Sequence, residues 1–231
     1  MSGGATGFVF ARGGSKGVRD KNLRPLGGKS LVALAVEHGL AARTIGRVVI
    51  STDSRQIARE AKAAGAEAPF MRPPELAADD APEWLAWRHA LEEIEKDGDK
   101  VETFVSISPT APLRAPEDID ACVERLARGD ADVVITVTPA RRSPHFNMVN
   151  LDGDGMASLV IPPQREISHR QQAPDVFDMT TVCYAVRPEY LMGAAGMMAG
   201  RVATVLVPAE RALDIDTEFD LKIAEALMAG N

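Results

Sequence analysis

Phe8-Val-Phe-Ala11 is an unbroken apolar run, and a strand of that kind has two faces to bury rather than one. It therefore belongs inside a mainly parallel sheet covered by helices on both sides. The run stops at Arg12-Gly-Gly-Ser-Lys-Gly-Val-Arg-Asp-Lys-Asn22, a loop dense in glycine and cations. Ligands of open α/β sheets sit beyond the carboxyl ends of the strands, so this loop is the first candidate site. Gly13, Gly14 and Gly17 predict a backbone that turns with positive φ and brings N–H groups close to an oxyanion. Arg12, Lys16, Arg19, Lys21 and Arg24 supply positive charge against Asp20 alone. A polyphosphate suits that balance; a solvated basic loop is the plain alternative.

Two better-known phosphate loops are excluded by spacing. Gly27-Gly28-Lys29-Ser30 resembles the end of a P-loop, but Leu23 stands where its first glycine is required and Pro25 interrupts it. Gly13-Gly14-Ser15-Lys16-Gly17 supplies only the latter half of a dinucleotide fingerprint. With 231 residues, 45% of them hydrophobic, the chain falls in the range of one large α/β domain. Its net charge of −7 argues against nucleic-acid and membrane partners, and sets the basic loop apart as a local feature for a small anion. Cys122 and Cys183 match no metal or redox spacing and read as reduced core residues. No secretory signal is visible and no apolar run approaches the ~18 residues of a membrane span, so a cytoplasmic protein is expected.

Beyond the loop, strands and helices alternate. Leu31, Leu34, Ala35 and His38 share a helical face within 29–43, with His38 packed rather than ligating, and residues 47–54 read as a second buried strand. That strand ends in Ser51, Thr52 and Asp53, where Ser51 and Asp53 are site candidates by position and Asp53 or Ser54 equally suits a helix cap. Prolines at 69, 73 and 74 constrain a loop that holds Arg72, and Pro82-Glu83 opens a helix whose Trp84, Trp87, Leu91 and Ile94 form a core stripe. A third strand is expected over 101–107, a helix from Pro116, a fourth strand over 132–137, and further strands over 181–186 and 202–207. A last helix carries Phe219, Ile223 and Leu227 at i, i+4 and i+8. Residues 140–178 break the alternation, and about forty residues are too many for a plain connection. Within them 146–151 and 156–161 flank Asp152-Gly-Asp-Gly155, a hairpin signal, and an apolar hairpin projecting from a core finds a partner chain.

Asp214 and Asp216 are two residues apart, so in an extended segment both carboxylates point the same way. Such a pair beside a polyphosphate suits Mg²⁺, which takes one or two carboxylates and completes its shell with phosphate and water. Capping of the last helix by Asp216 or Thr217 is the simpler reading.

Taken together, Ala11-Arg-Gly-Gly-Ser-Lys-Gly17 with Lys21-Asn22, Ile50-Ser-Thr-Asp-Ser54, Arg72-Pro-Pro-Glu-Leu-Ala77, Pro109-Thr-Ala-Pro-Leu-Arg114, Arg170-Gln-Gln-Ala-Pro174 and Asp214-Ile-Asp-Thr217 resemble, in order, the motifs of the acylneuraminate cytidylyltransferases. The resemblance runs almost the whole length. It implies a Rossmann-like three-layer α/β nucleotidyltransferase domain over residues 1–231, with 140–178 as a projecting β-hairpin arm that makes a homodimer. It implies that CTP and a 2-keto sugar acid of the nonulosonic type are joined with loss of pyrophosphate. Arg12, Lys16, Lys21 and Asp216 would be the catalytic residues, with a CTP cradle over 12–16 that includes Gly13, Gly14 and Ser15. Asn22 and Arg72 would contact the nucleotide, Ala11, Ser108, Arg170, Thr180 and Tyr184 would complete the substrate sites, and Asp214 and Asp216 would hold Mg²⁺.

The departures fall on the sugar side. Ser108 replaces a glutamine, Ala111 a serine, and Thr180-Thr-Val-Cys-Tyr184 stands for the family's Asn-Gly-Ala-Ile-Tyr. They point to an acceptor other than N-acetylneuraminate. A 3-deoxy-manno-octulosonate or other-nucleotide transferase and a non-catalytic nucleotide-binding regulator are the alternatives.

Overall fold

A computed structural model describes residues 4–14, 17–96, 98–162 and 169–230. Strand β1 (Ala5–Phe10) runs parallel between β4 (Ile45–Ser51) and β5 (Phe104–Ile107). Phe8 and Val9 turn to opposite faces, as do Val49 and Val48, and Phe104 and Val105. Both sets are buried, which is why these strands read as continuous apolar runs. β5 pairs antiparallel with β9 (Phe177–Val186), β9 pairs antiparallel with β6 (Val133–Pro139), and β10 (Val202–Leu206) lies parallel to β6 at the edge. The sheet order is β10-β6-β9-β5-β1-β4, mostly parallel with one reversed strand near its centre.

Helices α1 (Leu31–Ala41), α2 (Arg55–Ala63) and α4 (Pro116–Ala127) cover one face through Val32, Val36, Ile57, Ile119 and Cys122. On the other, α3 (Glu83–Glu95) and α5 (Pro188–Gly193) bury Trp87, Leu91, Ile94 and Leu191. The result is the three-layer α/β arrangement expected. Both cysteines are free and buried. His38 is likewise packed, and burial pulls its pKa down to about 4, so it sits neutral on α1 near neutral pH. No helix among the described residues is long and apolar enough to cross a membrane.

Several boundaries differ from the sequence expectation. The segment from Gly27 to Ser30 turns β2 (Pro25–Leu26) into β3 (Lys29–Ser30), and α1 starts only after Ser30, whose hydroxyl accepts from Ala33 N. Val101 does not join β5, because its N–H donates to Glu95 Oε1 at the end of α3. The terminal helix, α6 (Glu218–Ala229), is rotated from the expected stripe. Leu221 and Ala224 pack against Leu26, Leu31, Leu34 and Ile215, while Phe219 is 70% exposed. The phase is set by the Thr217/Asp220 capping box, which fixes which residues follow the first turn inward.

The hairpin pairs β7 (Val149–Leu151) with β8 (Ala157–Leu159), shorter than expected and around a turn in which Asp152 Oδ1 accepts from Asp154 N and Met156 N. Val149, Leu151 and Met156 stand exposed on it.

Candidate active site

The carboxyl end of β1 opens into a cleft of about 450 Å³, lined by Phe10, Arg12, Lys21, Asn22, Arg72 and Asp216 among others. The turn out of the sheet is fixed by backbone and side chain together. Ala11 N donates to Ser51 O, Gly13 N donates to Asp53 Oδ1 at 2.9 Å, and Asn22 Nδ2 donates to Arg12 O at 2.9 Å. Asp53 therefore anchors the loop, and the cap of α2 belongs to Ser54, whose hydroxyl accepts from Ile57 N.

Of the three loop glycines only Gly14 has positive φ, at 70°. Gly17 is needed for a different reason: a Cβ there would lie 2.3 Å from the Asp216 carbonyl oxygen, so only glycine lets the loop close onto that segment. Ser15 and Lys16 lie outside the described residues.

The loop's cations meet acids from distant parts of the chain. Arg12 Nη1 bonds Asp79 Oδ1 and the Ala77 carbonyl. Lys21 Nζ donates to Ile215 O at 2.9 Å and to Asp216 Oδ1 at 3.1 Å. Arg24 is taken out of the cleft by a two-bond pairing with Glu218 on α6. Arg19 lies almost fully exposed, so the cleft charge rests on Arg12, Lys21 and Arg72 among the described residues.

Ile215 is fully buried, and the carboxylates on either side of it differ. Asp216 reaches the cleft with its side chain 71% exposed. Asp214 is drawn inward, with Oδ1 buried and unpartnered among the described residues. Its pKa is raised, first by burial and then by the Asp216 charge, with Thr110, Thr181 and the charge of Lys21 acting the other way. Thr217, not Asp216, caps α6.

Arg72 is buried, donating from Nε to Ser51 Oγ at 3.2 Å and from Nη2 to Ser51 O, with its guanidinium 5.7 Å from the Phe10 ring centroid. Glu83 lines the same cleft. Water reaches it from the opening, yet protein surrounds the carboxyl and raises its pKa. Ser108 lines the cleft as well, but its hydroxyl is tied to Thr110 at 2.8 Å.

The remaining expected residues lie elsewhere. Thr180 lines a neighbouring cavity of about 540 Å³ together with Thr181, Asp214, Met179, Leu213 and Ile223. A register shift after Ile135 pairs Thr136 with Thr180 and loops 181–183 out of the ladder. Tyr184 packs 5.8 Å from Trp87 inside the core, and burial raises its pKa. Arg170 lines a separate cavity at the base of the arm and donates to Ala140 O at 2.5 Å. Thr181 lies beside Thr180 on the sugar side, as the motif departure implies, whereas Asp79, Glu83 and Thr110 are not marked as site residues by the sequence; the only signal for Glu83 is its place after Pro82 at a helix start.

The profile of the cytidylyltransferase family matches residues 6–192. A post-translational flagellin modification protein B of Campylobacter coli is 32% identical over 223 residues, 95% of this chain and 93% of its own. A CMP-N,N'-diacetyllegionaminic acid synthase of Campylobacter jejuni is 33% identical over 222 residues, 96% of this chain and 93% of its own. Among solved structures, a CMP:2-keto-3-deoxy-manno-octonic acid synthetase complexed with CTP superposes with a TM-score of 0.75. It covers 98% of this chain and 99% of that one at 17% identity, a likeness of fold. The chain belongs to the cytidylyltransferase family.

Proposed function

We propose that this chain joins CTP to a nonulosonic acid, releasing pyrophosphate and a CMP-sugar. The observation that carries the reading is the Lys21 ammonium, which ties the glycine-rich loop after β1 to the Ile215–Asp216 segment in one cleft. The anomeric hydroxyl of the 2-keto acid attacks the α-phosphorus, the bond to the β-phosphate oxygen breaks, and no covalent enzyme intermediate is required. Phosphoryl-type transfer rests mainly on positioning and charge neutralisation. Arg12, Lys21 and the loop N–H groups would hold the triphosphate, joined by Ser15 and Lys16 on the motif's order. Asn22 and Arg72 would hold the nucleoside.

Mg²⁺ fits Asp214 and Asp216. Asp214 keeps a buried oxygen without a partner, Asp216 presents its carboxylate to the cleft, and no larger acidic or histidine cluster exists among the described residues. Two carboxylates are the donor set that leaves room for phosphate oxygens and water. When bound, the ion would neutralise charge on the phosphates.

For the acceptor, two relatives aligned over 96% of this chain, at 33% and 27% identity, are synthases named for CMP-N,N'-diacetyllegionaminic acid, whereas an N-acylneuraminate cytidylyltransferase is 39% identical over only 46% of it. The cavity beside Asp214 offers Thr180 and Thr181 for polar contacts and Met179, Leu213 and Ile223 for acetyl methyl groups. With CTP saturating, a diacetylated nonulosonic acid is expected to exceed N-acetylneuraminate in kcat/KM by about tenfold or more. Pyrophosphate release measured over a panel of nucleotides and nine-carbon acids tests both halves of the reading. Preference for N-acetylneuraminate by that margin would refute the acceptor, and release with no nucleotide would refute the reaction.

The hairpin supports a homodimer, since Leu151 and Met156, each 69% exposed, are left uncovered by the described residues of their own chain. Light scattering at micromolar concentration is expected to give a dimer, and removal of residues 146–161 a monomer. An intact chain that scatters as a monomer would sink the proposal. A cytoplasmic location accords with the use of CTP.

A further inference from the structure

We infer that the Glu83 carboxylate reads the 4-amino group of the cytosine ring and thereby sets a preference for CTP over UTP. The inference rests on the proposed use of CTP and assigns one side chain within that cleft. Glu83 is the first residue of α3 and lines the cleft with Phe10, Arg72 and Ala86. Its Oε1 accepts from Trp87 Nε1 at 3.2 Å, which holds the carboxyl group in place. Among the described residues Oε2 has no partner, and Arg72 uses only Nε and Nη2, both on Ser51.

The cleft thus offers an acceptor at Glu83 and a spare donor at Arg72 Nη1, with the Phe10 ring beside the guanidinium. Cytosine presents a complementary edge, with a donor at its 4-amino group and acceptors at N3 and O2. Uracil reverses the first two, setting its O4 against the carboxylate and its N3–H against the guanidinium. A carboxylate accepting from the amino group of cytosine is a recognised pairing, and its mismatch sets uracil O4 against the carboxylate with no hydrogen between the two acceptors. Protein around Glu83 raises the cost of its charge, so a donor from the ligand is gained there at an advantage.

The experiment compares equilibrium binding of CTP and UTP by calorimetry, alongside pyrophosphate release, in the wild type, Glu83→Gln and Glu83→Ala. In the wild type CTP is expected to bind more tightly than UTP by about tenfold or more. Glu83→Gln, whose amide can turn a donor toward O4, should shrink that ratio by about tenfold, and Glu83→Ala should weaken CTP while leaving UTP nearly unchanged. A merely structural role for the Trp87 contact would weaken both nucleotides alike. A wild type without CTP preference, or ratios within about threefold of wild type in both variants, would overturn the inference. Because binding is read apart from turnover, a chain that discriminates CTP through Glu83 but releases no pyrophosphate would refute the proposed reaction and leave this assignment standing. If Glu83→Gln does not melt cooperatively, Glu83→Ala alone decides.

Discussion

Asp216→Asn is expected to lower kcat/KM for CMP-sugar formation by about a thousandfold while moving Tm by no more than ~2 °C. The two halves of that expectation come from different contacts. Fold and helix are insulated from the change, because the cap of α6 is made by Thr217 and Asp220 and the Asp216 side chain takes no part in it. Lys21 also keeps its bond to the Ile215 carbonyl. Activity is not insulated. The substitution removes the carboxylate that faces the cleft and leaves Asp214 as the single carboxylate of the proposed Mg²⁺ site, against the full charge of a triphosphate. Pyrophosphate release titrated with Mg²⁺, together with calorimetric melting, checks both. Turnover within about twofold of wild type would remove Asp216 from the machinery.

Arg114→Ala is expected to cost about 3 kcal/mol, a fall in Tm of roughly 6–12 °C for a chain of this size. Arg114 is fully enclosed, and burial pulls its pKa down to about 10, still well above neutrality. It donates from Nε to Val182 O at 2.8 Å and from Nη2 to Ser108 O. Truncation relieves a buried charge, but it strands two carbonyls and opens a cavity the size of the side chain, and the second pair of effects outweighs the first. Arg114→Lys should lie between, because an ammonium lacks the planar fork that reaches both acceptors. Ser108 and Thr110 hang on this tether, and the Thr110 carbonyl accepts from Ile215 N between the two aspartates, so kcat/KM should fall with stability. Melting within ~2 °C of wild type for Arg114→Ala would show that neither carbonyl depends on it.

The sheet was legible because Phe8-Val-Phe-Ala11 and its counterparts must be covered on both faces, a requirement written in the residues themselves. Strand direction was not. Nothing in residues 177–186 states that β9 runs against β5 and β6, since direction is set by how the chain arrives. The α6 stripe misled for a related reason: Phe219, Ile223 and Leu227 are properly spaced, but the Thr217/Asp220 box turns Leu221 and Ala224 inward. In the cleft, Arg12, Lys21, Asn22, Arg72 and Asp216 were readable from motif order, and the fold does bring them together. Asp79 and Glu83 were not, because they carry no distinctive spacing. Their roles exist only once the loop after Arg72 folds over the end of β1.

β9 occupies a place between β5 and β6 but is synthesised after both. A ribosome therefore delivers two strands whose facing edges must wait for a third that has not yet emerged. Until Val186 clears the exit tunnel, the backbone donors and acceptors of β5 and β6 along those edges have no native partner, and the sheet closes at its centre instead of growing outward from one side. The interval between the emergence of Pro139 and that of Val186 is the period in which a nascent chain of this protein is most open to pairing with a neighbour on the same polysome.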